Sequence, residues 1–146
     1  MDEHEFKKAY AEVNDRPCVF AKAILRRCAA CCRSEKVFIA EREAVACQSP
    51  RGHQRCGELV ACLRENALFA LRLKQIDGPL PHGKEMKVEC GGLLGLYSVA
   101  EGEDAEHVKD IDALVDDSLK RWHDFKQLPY SQIAQWMAKY QSRRRR

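Results

Sequence analysis

The sequence predicts a mainly α fold, a compact helical domain with a short β-hairpin around residues 86–99. Three observations carry this expectation. Residues 35–47 are rich in helix formers and contain neither Gly nor Pro. Leu59, Leu63, Ala67, Ala70 and Leu71 recur at the three-and-four spacing of a helix that buries one face. Around Met86, Val88 and Cys90, by contrast, apolar residues alternate with charged ones, and Gly91-Gly92 follows as a tight turn, with residues 93–99 as the partner strand.

The elements follow in order along the chain. Residues 5–27 carry apolar positions at Tyr10, Val13, Phe20, Ile24 and Leu25, interrupted by Asn14-Asp15-Arg16-Pro17, which gives two short helices with a turn between them. A third helix is expected over 34–47, capped by Ser34. Ser49-Pro50 is a further start signal, because Ser caps and the missing proline N–H is not needed in the first helical turn; this helix should reach about Lys74. Gly78-Pro79-Leu80-Pro81-His82-Gly83 breaks the pattern before the expected hairpin. Ile111, Leu114, Val115, Leu119 and Trp122 mark another helical face, and a last helix from about Ser131 aligns Ile133, Trp136, Met137 and Tyr140.

A chain of 146 residues supports one hydrophobic core, so residues 1–142 are read as a single cysteine-rich helical domain and 143–146 as a basic C-terminal tail. The four arginines of that tail exceed the formal charge of +3, which leaves the rest slightly acidic and implies no basic nucleic-acid-binding face. Residues 101–117 hold eight acidic residues against Lys109 alone; they read as a solvated face or as a docking surface for a basic partner protein. Met1-Asp2-Glu3-His4-Glu5 is acidic where a secretory signal is basic, and no apolar stretch reaches the roughly 18 residues of a membrane span. A cytoplasmic location of bacterial type is therefore expected, in which thiols stay reduced.

Eight cysteines in such a setting point first to metal. Seven lie between positions 28 and 90, most densely in Cys28-Ala29-Ala30-Cys31-Cys32. Cys47 stands at an expected helix end and Cys56 near the next helix start, where the N-terminal field and Arg51 and Arg55 would favour a thiolate. Cys90 precedes two glycines whose backbone can approach a ligand closely. Cys31, Cys47, Cys56 and Cys90 are thus the expected cofactor ligands, with Cys28 and Cys32 as substitutes for Cys31. Cys62, inside a helix, reads as packing, and Cys18 as either packing or ligand. His53, three residues before Cys56, is a substitute donor, and His82 a weaker one.

The intervals of 15, 8 and 33 residues between those four ligands match neither paired CxxC knuckles nor the compact ferredoxin run. They suit an iron–sulfur cluster, of the 4Fe-4S type, clasped by helices. Cys28-Ala29-Ala30-Cys31-Cys32-Arg33 resembles part of the CxxCC motif of zinc- or iron-chelating bacterial proteins. That resemblance covers six residues and implies metal binding; the upstream cysteine of those proteins is absent from Leu25-Arg26-Arg27, so their ligand set does not carry over.

No GxGxxG or GxxxxGK[ST] loop, paired Glu-x-x-His or nucleophile signature is present, and catalysis is unsupported. The leading expectation is a small iron–sulfur protein serving electron transfer, redox sensing or a redox complex, with a redox protein as partner. The alternatives are a structural zinc module for protein interaction and a thiol–disulfide protein centred on Cys28, Cys31 and Cys32.

Overall fold

The structure, a computed structural model, describes residues 2–74 and 78–141; the tail expected at 143–146 lies outside the described residues. It is mainly α with one two-stranded antiparallel hairpin, as the patterning predicts. The hairpin, however, sits fifty residues earlier than the alternation around Cys90 suggests.

Helices α1 (Glu3–Val13) and α2 (Ala21–Leu25) flank the break at 14–17. Asp2 caps α1 by accepting the Glu5 N–H at 2.8 Å. The helix expected over 34–47 is instead β1 (Ser34–Ile39) and β2 (Arg42–Cys47), paired from Ser34↔Cys47 to Ile39↔Arg42. Ala40 turns the two-residue loop with a left-handed φ of 57°. The physical reason lies far along the chain. The outer edge of β2 is also paired, with the Cys18 N–H donating to the Val45 carbonyl at 2.9 Å and the Cys47 N–H to the Arg16 carbonyl at 2.8 Å. The Asn14 side-chain amide adds a third bond to the Val45 carbonyl. This non-local pairing, with Ala44 and Val45 buried, outweighs the few tenths of a kcal/mol per residue by which local propensity favours helix.

Helix α3 (Pro50–Asn66) begins where Ser49-Pro50 predicts, the Gly52 N–H donating to Ser49 Oγ at 2.9 Å. It stops eight residues short of Lys74. The chain continues in turns, with Arg72 at φ 57°, and these still deliver Leu71 to the core beside Leu59, Leu63 and Ala67.

Residues 82–101 form no strand. Helix α4 (His82–Met86), a wide π turn (Lys87–Gly91) and α5 (Gly92–Glu101) run on as one helical stretch. Met86, Val88, Cys90, Leu93 and Leu96 are buried around the stretch, so their period does not report a two-faced element. Gly91 and Gly92 are helical, not turn, residues. Their role is close approach: a Cβ on Gly91 would lie 2.7 Å from the Met137 Cα, and one on Gly92 2.9 Å from a Leu63 methyl. Helix α6 (Ile111–Trp122), capped by Asp110, and α7 (Tyr130–Lys139) complete the core through Ile111, Val115, Ile133 and Met137. The acidic stretch is partly consumed internally, because Asp112 and Asp116 pair with Arg55 at 3.3 and 3.2 Å.

Two links tie α2 to the π turn. The Ala23 N–H donates to Glu89 Oε1 at 3.1 Å, and Cys28 is joined to Cys90 by a disulfide with a Cα separation of 6.1 Å. Burial above all, aided by neighbouring Glu85 and opposed by the Ala23 bond, pushes the Glu89 carboxyl from 4.5 up to about 7. A carboxyl that holds its proton more tightly when folded stabilises the fold fully below its unfolded value and loses that contribution as pH rises through about 7. Thermal unfolding should show stability falling across that interval, and Glu89→Gln, which keeps an acceptor for Ala23, should flatten the fall. Gly91→Ala should cost about 1–3 kcal/mol in urea unfolding, because the obstruction is α7 backbone and cannot rotate away.

Candidate metal centre

Four of the six free cysteines meet at one place, and each arrives on a different segment. Cys18 is fixed beside β2 by its N–H bond to Val45, immediately before α2. Cys31 lies on the loop between α2 and β1, which is strapped to residues 108–111. There the Val108 N–H donates to the Cys28 carbonyl at 2.9 Å, the Ala30 N–H to the Val108 carbonyl at 2.9 Å, and the Ile111 N–H to the Ala30 carbonyl at 2.8 Å. The loop is closed by Ser34, whose Oγ donates to the Cys31 carbonyl at 2.8 Å. Cys47 ends β2, its thiol donating to the Ser49 carbonyl at 3.3 Å. Cys56 stands in the second turn of α3.

Together these four line a cavity of about 20 Å³, walled by Val19, Phe20 and Ile111 and edged by Arg33, His53 and Asp112. His53 is committed elsewhere, its Nε2 lying 3.0 Å from the Pro17 carbonyl. Among the described residues, no three or more His, Cys, Asp and Glu side chains stand together as a ready metal cage. The sulfurs therefore share a cavity without closing on a point.

For three of the four, burial and neighbouring charge favour the thiol. Burial pushes the Cys18 thiol up to about 12, with smaller contributions from Cys31 and Cys47. Cys56 is likewise driven to about 12, by burial first and then by Cys18, Cys31 and Cys47. Cys31 is raised by burial and by the charges of Asp110 and Asp112. Against this, the backbone N–H groups of Phe20 and Arg33 favour the thiolates of Cys18 and Cys31 respectively. Four sulfurs, with the ionisation of Cys18 and Cys56 opposed in part by their sulfur neighbours and two of the four met by backbone donors, are a donor set that a thiophilic cation would reorganise.

Of the expected ligands, Cys31, Cys47 and Cys56 line this cavity. Cys90 does not. It is fully buried in the π turn and bonded to Cys28, so neither residue offers a thiolate, and the glycines after Cys90 face α7 instead of a ligand. That bond also departs from the expectation that thiols stay reduced. Cys32 is exposed, with its N–H held by Asp110 Oδ1 at 3.0 Å. Cys62 lies outside the cavity. The expected thiolate-favouring field at Cys56 is corrected as well, since Cys56 sits beyond the first turn and Arg55 is engaged by Asp112 and Asp116. Cys18 takes the fourth place. Its position beside Pro17, at a break between two helices, is the same boundary context that singles out Cys47 and Cys56.

No protein-family model, curated protein or solved structure matches this chain.

Alkylation of metal-free protein at neutral pH, followed by peptide mass spectrometry, should label Cys32 first and Cys18 and Cys56 last, since exposure admits the reagent and a high thiol pKa starves the reaction of thiolate.

Proposed function

We propose that Cys18, Cys31, Cys47 and Cys56 hold one thiophilic metal ion, zinc in the first instance, and that the protein is a non-catalytic module whose loops are fastened by that ion. The observation that carries this reading is the meeting of four thiols from four separate segments at one small cavity. The bound ion would supply the positive charge that permits the four sulfurs to ionise together. The chain's own part is to present them: β2 pairing places Cys18 and Cys47, the strapped loop places Cys31, and α3 places Cys56.

The size of the cavity supports a single ion over the iron–sulfur cluster suggested by residue spacing. About 20 Å³ is little more than the room a water needs, whereas a cluster carries several iron and sulfide ions. A thiol–disulfide role centred on Cys28, Cys31 and Cys32 is less well served, because Cys28 is paired with Cys90 and the Cys31 thiol is raised, not lowered. A cytoplasmic setting suits a site of free thiols, with the Cys28–Cys90 bond shielded from exchange by its burial.

Metal and sulfide analysis of anaerobically purified protein tests the reading. Zinc should be present at about one ion per chain without visible absorption, and cobalt exchanged into the site should give the d–d and sulfur charge-transfer bands of a tetrahedral thiolate site. Cys18→Ser, Cys31→Ser, Cys47→Ser and Cys56→Ser should each lose metal and lower the melting temperature, because binding energy is folding energy. Cys62→Ala should keep its metal and cost on the order of 1 kcal/mol. Iron with matching acid-labile sulfide would return the cluster; full occupancy in both Cys18→Ser and Cys47→Ser would remove the site.

A further inference from the structure

A second feature, sharing no residue with the cysteine cavity, lies where α3 gives out. After Asn66 the chain turns on itself, held by the Leu71 N–H to the Ala67 carbonyl at 2.8 Å, the Arg72 N–H to the Phe69 carbonyl at 3.1 Å and the Leu73 N–H to the Leu68 carbonyl at 2.9 Å. Leu71 is anchored in the core, and the same turn throws Phe69 outward, 96% exposed. A phenyl ring left almost wholly in water on a hydrogen-bonded turn forgoes 1.5–3 kcal/mol of burial, roughly, and is costly unless something covers it.

The turn forms one wall of an open groove of about 1040 Å³. The facing wall is the outer side of α7, where Ser131, Ala134, Gln135 and Ala138 recur at helical spacing and their short side chains leave room for another backbone. The rim is cationic. Arg72, Lys84 and Lys87 line it, and no carboxylate does among the described residues. Lys87 is occupied in part, its Nζ donating to the carbonyls of Ala138 and Tyr140 at 2.9 and 2.8 Å, which caps α7. Neither Arg72 nor Lys84 pairs with an acidic side chain among the described residues.

We propose that this groove seats an acidic amphipathic helix of a partner protein, with Phe69 packed between its apolar side chains and its carboxylates meeting Arg72 and Lys84. A concave apolar floor with cations at the rim fits a helix whose apolar stripe is flanked by Asp or Glu. A bilayer presents a flat surface and does not fill a groove between the Phe69 turn and α7.

Selection from a displayed library of helical peptides of unbiased charge, on the 146-residue chain as purified, tests this. Recovered peptides should share apolar residues at i, i+3 or i+4 and i+7 and carry net negative charge. Phe69→Ala should weaken a recovered peptide by about tenfold or more, and Lys84→Glu should weaken it while restoring binding to the same peptide with Lys in place of its acidic residues. Because neither side chain is buried, an unchanged melting temperature shows that the variants are folded. Failure to recover any peptide, recovery without charge bias, or undiminished binding by Phe69→Ala would overturn the proposal. So would stronger binding to phosphatidylglycerol vesicles than to peptide, or a Phe69-dependent homodimer in sedimentation.

Discussion

The arrangement depends on one piece of backbone pairing. The segment at 16–18 lies against β2 through two hydrogen bonds, Cys18 N–H to Val45 and Cys47 N–H to Arg16. Those bonds convert a helix-prone stretch into a strand and bring Cys18 beside Cys47. They also deliver Phe20 and α2 to the core. Without that pairing β2 would have a single partner in a two-stranded ribbon, which is marginal in water, and Cys18 would have no reason to approach the cavity. Fold and candidate site thus rest on the same contact.

Local chemistry was legible wherever it acts locally. Ser49-Pro50 announces α3, Asn14-Asp15-Arg16-Pro17 separates α1 from α2, and the apolar periodicity of 111–140 marks α6 and α7. What could not be read was set at long range. Residues 34–47 are rich in helix formers, yet the bonds on the outer edge of β2 come from residues about thirty positions away. Residues 86–99 alternate like a strand because a helical stretch buried all round is free to place apolar residues anywhere. The same distinction separates the cysteines. Cys31 and Cys47 stand at element boundaries and Cys56 one turn into the helix that Ser49-Pro50 announces, whereas the exchange of Cys90 for Cys18 depends on which segments pack together. The glycines after Cys90 were misleading for a related reason, being small to admit α7 and not to make a turn.

Charge is handled differently in the two halves of the molecule. Around the cysteines, the ion pairs Arg33–Asp112, Arg55–Asp112 and Arg55–Asp116 hold the positive side chains close to the cavity without leaving them free to ionise the thiols. Near the π turn, Glu85 is paired with Arg64 at 3.1 Å, while Glu89 accepts a backbone N–H and holds its proton to a higher pH than an ordinary carboxyl. In both places desolvation dominates and the neighbouring groups modulate it.

The Cys28–Cys90 bond has a topological meaning beyond the link it makes between α2 and the π turn. It closes a covalent ring across a sequence separation of 62, and Cys31, Cys47 and Cys56 all lie on that ring while Cys18 lies outside it. Ring closure removes conformational freedom from the unfolded chain, on the order of 4 kcal/mol in the simple polymer treatment, and it raises the effective concentration of the three enclosed sulfurs for one another even when the core has melted. An ion caught by those three would be held by a preassembled loop. Only the fourth sulfur would have to be recruited from outside the ring, and its arrival would tie the N-terminal segment to it.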